Sequence, residues 1–215
     1  MRVTVFVAIV LACAFPAQLL AIDAVPERLP AQILVENLQG KLGAAGDENM
    51  RDITPIGFQL IQAFEPWSSK PVNDASDYCT VGFGHILSLQ PCEFIDTGKY
   101  GAGISLSEAS ELLRLDARYA RSEVERVTEH YLNDDQFSAV TAFVFSVGSE
   151  SFESSAMLSM INSGDIAGAS AEFTNWIRLG GRVVPSLVAR RSCEQKLYVS
   201  ALKLGDDGKI SPDKC

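Results

Sequence analysis

The most restrictive feature of this chain is a pair of switches in its hydrophobic rhythm, at Pro66 and at Ser105. Before the first, Thr54-Pro55 is a helix opening: Thr is a good N-cap, and Pro suits the first helical position. Ile56, Leu60, Ile61 and Phe64 recur on one helical face, and Pro66 stops the helix just past Glu65. From Trp67 to about Cys92 short extended pieces alternate with Ser, Pro, Asn, Asp and Gly. Within them Tyr78 to His85 (YCTVGFGH) is rich in β-formers and reads as a strand or hairpin. After Ser105 the pattern is helical. Ser105 with Glu108 fits a capping box, and Leu112, Leu115, Tyr119 and Val127 follow at helical spacing. Further helices are expected over 134–147, 154–162, 166–179 (capped by Asp165, ended by Gly180-Gly181) and 185–201 (opened by Pro185). The sum is an α+β chain with two lobes. A small β-rich lobe is clasped between an N-terminal helix and a larger all-helical lobe, with a cleft between them.

The ends read differently. Arg2 precedes an uncharged apolar stretch from Val3 to Ala14, then Pro16 and small residues up to Ala21, the layout of a secretory signal peptide over residues 1–21. The stretch is short of the ~20 apolar residues of a membrane span. Residues 22–53, with Pro26, Pro30 and a Gly-Ala-Ala-Gly run, read as a linker or pro-segment. The domain then covers 54–204, and residues 205–215 form a polar tail. Export fits the cysteines: Cys13 leaves with the leader, and Cys79, Cys92, Cys193 and Cys215 remain, an even number with three possible connectivities. Cys79 with Cys92 and Cys193 with Cys215 is the expected pairing, because each closes a local loop.

Charge and side-chain inventory narrow the chemistry. With 18 Lys+Arg against 27 Asp+Glu, the chain carries a formal charge of -9. It gains nothing from phosphate attraction, so nucleic acid is not an expected partner, and anionic membranes repel it. Only two histidines, His85 and His130, are present. That excludes multi-His metal sites and leaves few ways to build a Ser/His/Asp triad. The tail segment Gly205-Asp-Asp-Gly208 lacks the further ligands of an EF-hand, so no metal and no cofactor is assigned.

Carboxylates remain. Glu65 ends an apolar helix between Phe64 and Trp67, where desolvation favours a protonated general acid. Asp74 lies in a hydrophilic loop (Asn73-Asp74-Ala75-Ser76-Asp77), where hydration favours the charged form. Thr80, on the following strand, can hold a water through its hydroxyl, while alternation sends Cys79 to the other face. Two carboxylates in opposed environments are the acid and base of glycoside hydrolysis. Taken singly, each acid is an ordinary solvated surface group.

Glu65, Asp74 and Thr80 in their order and spacing, with T-V-G-F-G-H around Thr80, resemble the Glu/Asp/Thr signature of the phage-type lysozyme (endolysin) family of glycoside hydrolases. The likeness continues through Leu132–Phe137, Ala142–Gly148, Ser155–Asn162, Ala171–Trp176 and Pro185–Arg191 with Glu194, covering roughly 54–200. The resemblance implies a two-lobed lysozyme-like fold and hydrolysis of the β-1,4 bond between N-acetylmuramic acid and N-acetylglucosamine in peptidoglycan. Glu65 would be the acid, Asp74 would orient or activate water, and Thr80 would position it. It further implies that Ile86, Phe145 and Ser155 contact sugar, and that His85 is structural rather than catalytic. Gly82 and Gly84 then serve the turn and a close backbone approach. Pro66, Ser146 and Ser186 stand where the family often has Gly, Asn and Gly, and none of the three removes a catalytic group.

The expected protein is thus a monomeric, secreted, bacteriolytic wall hydrolase, working outside the cell or in a digestive or lysosome-like compartment. Two other activities fit parts of the pattern: cleavage of another N-acetylhexosamine polymer such as chitin, and a Cys/His peptidase or amidase using Cys79 and His85. Arg190 and Arg191 can pair with acids near the cleft, although a solvated helix face is the ordinary reading of such a pair. Phe173 and Trp176, at i, i+3 spacing, read as core.

Overall fold

The computed structural model describes residues 50–215; the expected leader, Cys13 and residues 22–49 of the linker lie outside the described residues. Helix α1 (Pro55–Phe64) opens as its sequence requires, with Thr54 Oγ1 accepting the Gly57 N–H at 3.1 Å. Three antiparallel strands follow, β1 (Ser68–Asn73), β2 (Cys79–Gly82) and β3 (His85–Ser88), in the order β1-β2-β3. Cys79 is bonded to Cys92, which ties β2 to the loop beyond β3.

Helix α2 (Leu106–Val127) links the lobes. Its 22 residues give it a length of about 33 Å, enough to lie along the sheet at one end and the helical lobe at the other. The capping box of Ser105 and Glu108 is formed. Its buried seam is Ala109, Leu113, Ala117, Ala120 and Val124, while Leu115 is 45% exposed. The seam is built largely from alanine because the sheet approaches closely. A Cβ on Gly82 would meet the Ala109 Cβ at 3.0 Å.

Helix α3 (Asp134–Val147) is the centre of the large lobe, buried without interruption from Phe137 to Ser146. A helix apolar all round belongs inside a core. Phe143 makes edge-to-face contacts with Phe152, Phe173 and Trp176 at centroid separations of 6.3, 5.4 and 5.3 Å. The aromatic pair at 173 and 176 is therefore core.

Around α3 lie α4 (Ser149–Glu153), α5 (Ala156–Asn162), α6 (Ile166–Glu172) and α7 (Pro185–Tyr198). Three helix expectations are corrected. The helix expected over 154–162 is α5, which starts at Ala156 with Ser155 as its cap, and a short helix that was not expected, α4, precedes it. The helix expected over 166–179 ends at Glu172. Gly180 and Gly181, at φ +54° and +77°, form the turn of a hairpin, β4 (Arg178–Leu179) with β5 (Arg182–Val183), instead of a helix C-terminus. The last helix stops at Tyr198, not 201, and Ser200 takes a positive φ just beyond it.

Both flanking segments are packed. Ile53 is buried, the Arg51 guanidinium lies 4.5 Å from the Phe137 ring centroid, and Arg121 donates to the carbonyls of Arg51 and Met50. At the other end Ile210 joins the core and Cys215 is bonded to Cys193 of α7. Both disulfides are those expected. No helix among the described residues is long and apolar enough to cross a membrane.

Candidate active site

Leu60 and Ile61, both fully buried, pin α1 against the large lobe. Glu65 is its C-cap, already extended at φ -95°, ψ 137°, as the residue before a proline should be. Its side chain is 19% exposed, and Oε1 accepts a hydrogen bond from Arg190 Nη1 at 2.9 Å. Burial pushes the Glu65 carboxyl above the usual carboxylate range. The Arg190 guanidinium opposes that shift, and the negative charges of Glu194 and Asp116 add to it.

Arg190 and Arg191 are buried, which overturns the solvated-face reading of α7. Arg190 Nε donates to Glu194 Oε1 at 3.1 Å, and Arg191 Nη1 donates to Glu194 Oε2. Arg191 also reaches Ser146 Oγ at 2.7 Å and the Trp176 carbonyl at 3.2 Å. Two cations and two anions thus sit together where α7 meets the end of α1. Their spacing was the available signal: Arg190 and Arg191 stand at i-4 and i-3 from Glu194, the two separations that meet on a helix.

Asp74 lies in the turn between β1 and β2. Its Oδ1 accepts the N–H groups of Ser76 at 2.8 Å and Tyr78 at 3.0 Å, and its own N–H bonds the Tyr78 carbonyl. Both side-chain bonds fall on one oxygen, so the loop fixes the carboxylate while Oδ2 has no hydrogen-bond partner among the described residues. Glu65 and Asp74 bracket β1 in the chain.

Thr80 sits opposite Val72 of β1 and Ile86 of β3, and its Oγ1 donates to the Val72 carbonyl at 3.3 Å. Thr80 is buried, and the half-buried Ile86 is its direct cross-strand neighbour. Gly82 and Gly84 have φ of +69° and +82°, so the turn from β2 to β3 needs glycine. His85 Nδ1 is 3.0 Å from Asp116 Oδ1, which anchors the start of β3 to α2. Nothing in the local sequence announces Asp116, because its role arises only when the sheet docks on α2.

Phe145 is buried on α3, beside Ser146 of the arginine cluster. Ser155 is the N-cap of α5: its hydroxyl accepts the Leu158 N–H at 3.1 Å and donates to the Phe152 carbonyl at 2.6 Å. That hydroxyl is engaged in shaping the helix start. Cys79 is fully buried and disulfide-bonded, so it offers no thiolate to His85, and the Cys/His peptidase or amidase reading is overturned. Among the described residues no cluster of His, Cys, Asp and Glu has the make-up of a metal site.

Comparison with known proteins fits this architecture. The family model described as "Phage lysozyme" matches residues 62–194, which contain Asp74, Thr80 and the Arg190–Glu194 cluster. An endolysin of Acyrthosiphon pisum secondary endosymbiont phage 1 is 30% identical over 153 residues, covering 69% of this chain and 99% of that protein. An endolysin of a Bacillus phage is 31% identical over 152 residues, covering 69% of this chain and 54% of that protein. A second from a Bacillus phage is 55% covered, so the chain spans about half the length of these two relatives. Among solved structures, the muramidase domain of SpmX from Asticaccaulis excentricus superposes with a TM-score of 0.60 at 26% identity, covering 69% of this chain and 98% of that one. With more than half of its length matched by the family model, the chain belongs to the phage lysozyme family.

Proposed function

We propose that this protein is a lysozyme that hydrolyses the β-1,4 bond between N-acetylmuramic acid and N-acetylglucosamine in peptidoglycan. The carrying observation is the environment of Glu65, a carboxyl raised by burial at the lip of the cleft and hydrogen-bonded to an arginine. Such a group holds a proton at a pH where ordinary carboxylates have lost it, as a general acid must. Glu65 protonates the glycosidic oxygen. Asp74, oriented by two backbone amides, directs a water through its other oxygen, and Thr80 helps place that water. Ile86 and Phe145 line the sugar-binding surface. Ser155 acts there through the backbone it caps, since its hydroxyl is engaged. His85, Gly82 and Gly84 hold the β2–β3 turn in place.

The working unit is a monomer that needs no cofactor, exported by its leader and acting on bacterial walls. The test is turbidity clearing of purified cell walls by wild type and by Glu65→Gln. Loss of the acid should slow clearing by ~10²-fold or more; equal clearing by the two proteins overturns the assignment. Mass spectrometry of the products should show muropeptides, and release of chito-oligomers alone would move the substrate to chitin.

A further inference from the structure

Glu65 faces charged groups from two elements. From α7 come Arg190, at 2.9 Å, and Glu194 behind it; from α2 comes Asp116, itself held by His85 of β3. Arg191 turns away, toward Ser146 and the Trp176 carbonyl. The buried span of α3, Phe137 to Ser146, brings no ionisable side chain.

Glu194 is fully buried and uses both of its oxygens, one on each arginine. With Nε tied to Glu194, the plane of the Arg190 guanidinium is set, and Nη1 projects to Glu65. Nη2 is left buried with no acceptor among the described residues. An orientation that leaves a donor unmatched is one imposed by its neighbours, since an unpaired buried donor is costly. Charge gives the second half of the argument. A lone arginine beside a carboxyl draws it toward permanent ionisation, the wrong state for a proton donor, and a second anion on the same guanidinium offsets that pull.

We infer that Glu194 is a positioning residue for Glu65: it fixes the Arg190 guanidinium against the Glu65 carboxyl while offsetting its charge, so that Glu65 can still carry a proton. This rests on Glu65 being the acid of the proposed reaction. Glu194 touches no substrate. Arg191 sets a counter-charge against the second oxygen of buried Glu194, and Ser146 secures Arg191.

The experiment titrates the Glu65 carboxyl by carbon NMR in the full chain without substrate, alongside the pH–rate profile on cell walls. Glu194→Gln leaves two buried guanidiniums facing one carboxylate and is expected to weaken the fold. The double variant Arg191→Met/Glu194→Gln removes opposite charges together and keeps the cluster neutral. In the double variant the Glu65 titration and the basic limb of the rate profile should both move to lower pH by roughly one unit. Ser146→Ala keeps all four charges and should lower stability without moving the titration. A folded double variant whose Glu65 titrates as in wild type overturns the inference, as does an equal shift in Ser146→Ala. Because the titration is read without substrate, an inactive wild type would count against the proposed function and leave this test in force.

Discussion

The two lobes are held together by different physics. In the helical lobe, α3 is buried along most of its length, and Phe143 touches three other aromatic rings. In the small lobe, β1 is largely exposed, with Val72 at 44%, and only a few residues such as Cys79, Val81 and Phe83 are buried. A disulfide, a side chain bonded to turn amides and a histidine–aspartate pair do there what burial does elsewhere. The proposed catalytic groups divide along the same line. Asp74 and Thr80 depend on the small lobe, whereas Glu65 depends on α1 and on the arginine cluster of α7. One half of the proposed site thus rests on packing and the other on discrete links, so the two halves should fail separately.

The largest effect is expected from the packed half. Phe143→Ala empties the centre of the aromatic cluster and should cost about 4 kcal/mol. Cooperative thermal unfolding should move down by roughly 10 °C. Because α3 supports α1, α2 and α7 alike, activity and structure should be lost together, with activity and near-ultraviolet circular dichroism following one curve. Activity that disappears well below the melting transition would show that the cleft is less dependent on this core than its position indicates.

The linked half gives the next effect. Cys79→Ser with Cys92→Ser opens a loop whose ends are 13 residues apart, a loss of ~3 kcal/mol in the chain-entropy account. The nominal cost approaches that of Phe143→Ala, yet its reach should be smaller. Amide hydrogen exchange should rise across β1 to β3 while α3 keeps its protection, and wall lysis should fall because the Asp74 turn is no longer held. Equal loss of protection in α3 would show that the lobes unfold as one unit, ending the comparison.

The same division explains how much was legible in the sequence. Local rules wrote most of the elements: Thr54, Ser105 and Pro185 mark helix starts, and Pro66 marks a stop, all where the structure has them. The Glu65, Asp74 and Thr80 pattern is equally local: it spans the end of α1, the β1–β2 turn and β2. Misreadings occurred where a local signal had two meanings. Gly180-Gly181 fits a helix end and a hairpin turn equally, and in the structure it joins Arg178–Leu179 to Arg182–Val183 as a hairpin. The ionic partners of Glu65 were hidden for a different reason. Arg190 lies 125 residues from Glu65, and its burial follows from the docking of α7 on α1 and α3, which no window of sequence contains.

The smallest effect concerns Glu65 itself, and its sign follows from burial. Folding raises the Glu65 carboxyl above its ordinary value of 4.5, because desolvation outweighs the attraction of Arg190. At a pH below that ordinary value both folded and unfolded chains carry the proton, and ionisation adds no penalty. As pH rises the unfolded chain releases its proton first, so the folded state loses stability until the pH passes the folded value, beyond which the loss is constant. Glu65→Gln cannot ionise, and Arg190 retains Glu194 as a partner. The variant should therefore melt with the wild type in acid and above it at neutral pH. Melting curves collected from pH 4 to pH 8 would read this directly. A gap of opposite sign at neutral pH would mean that the bond to Arg190 outweighs desolvation, and that the acid of this cleft is kept as an ion pair until substrate arrives.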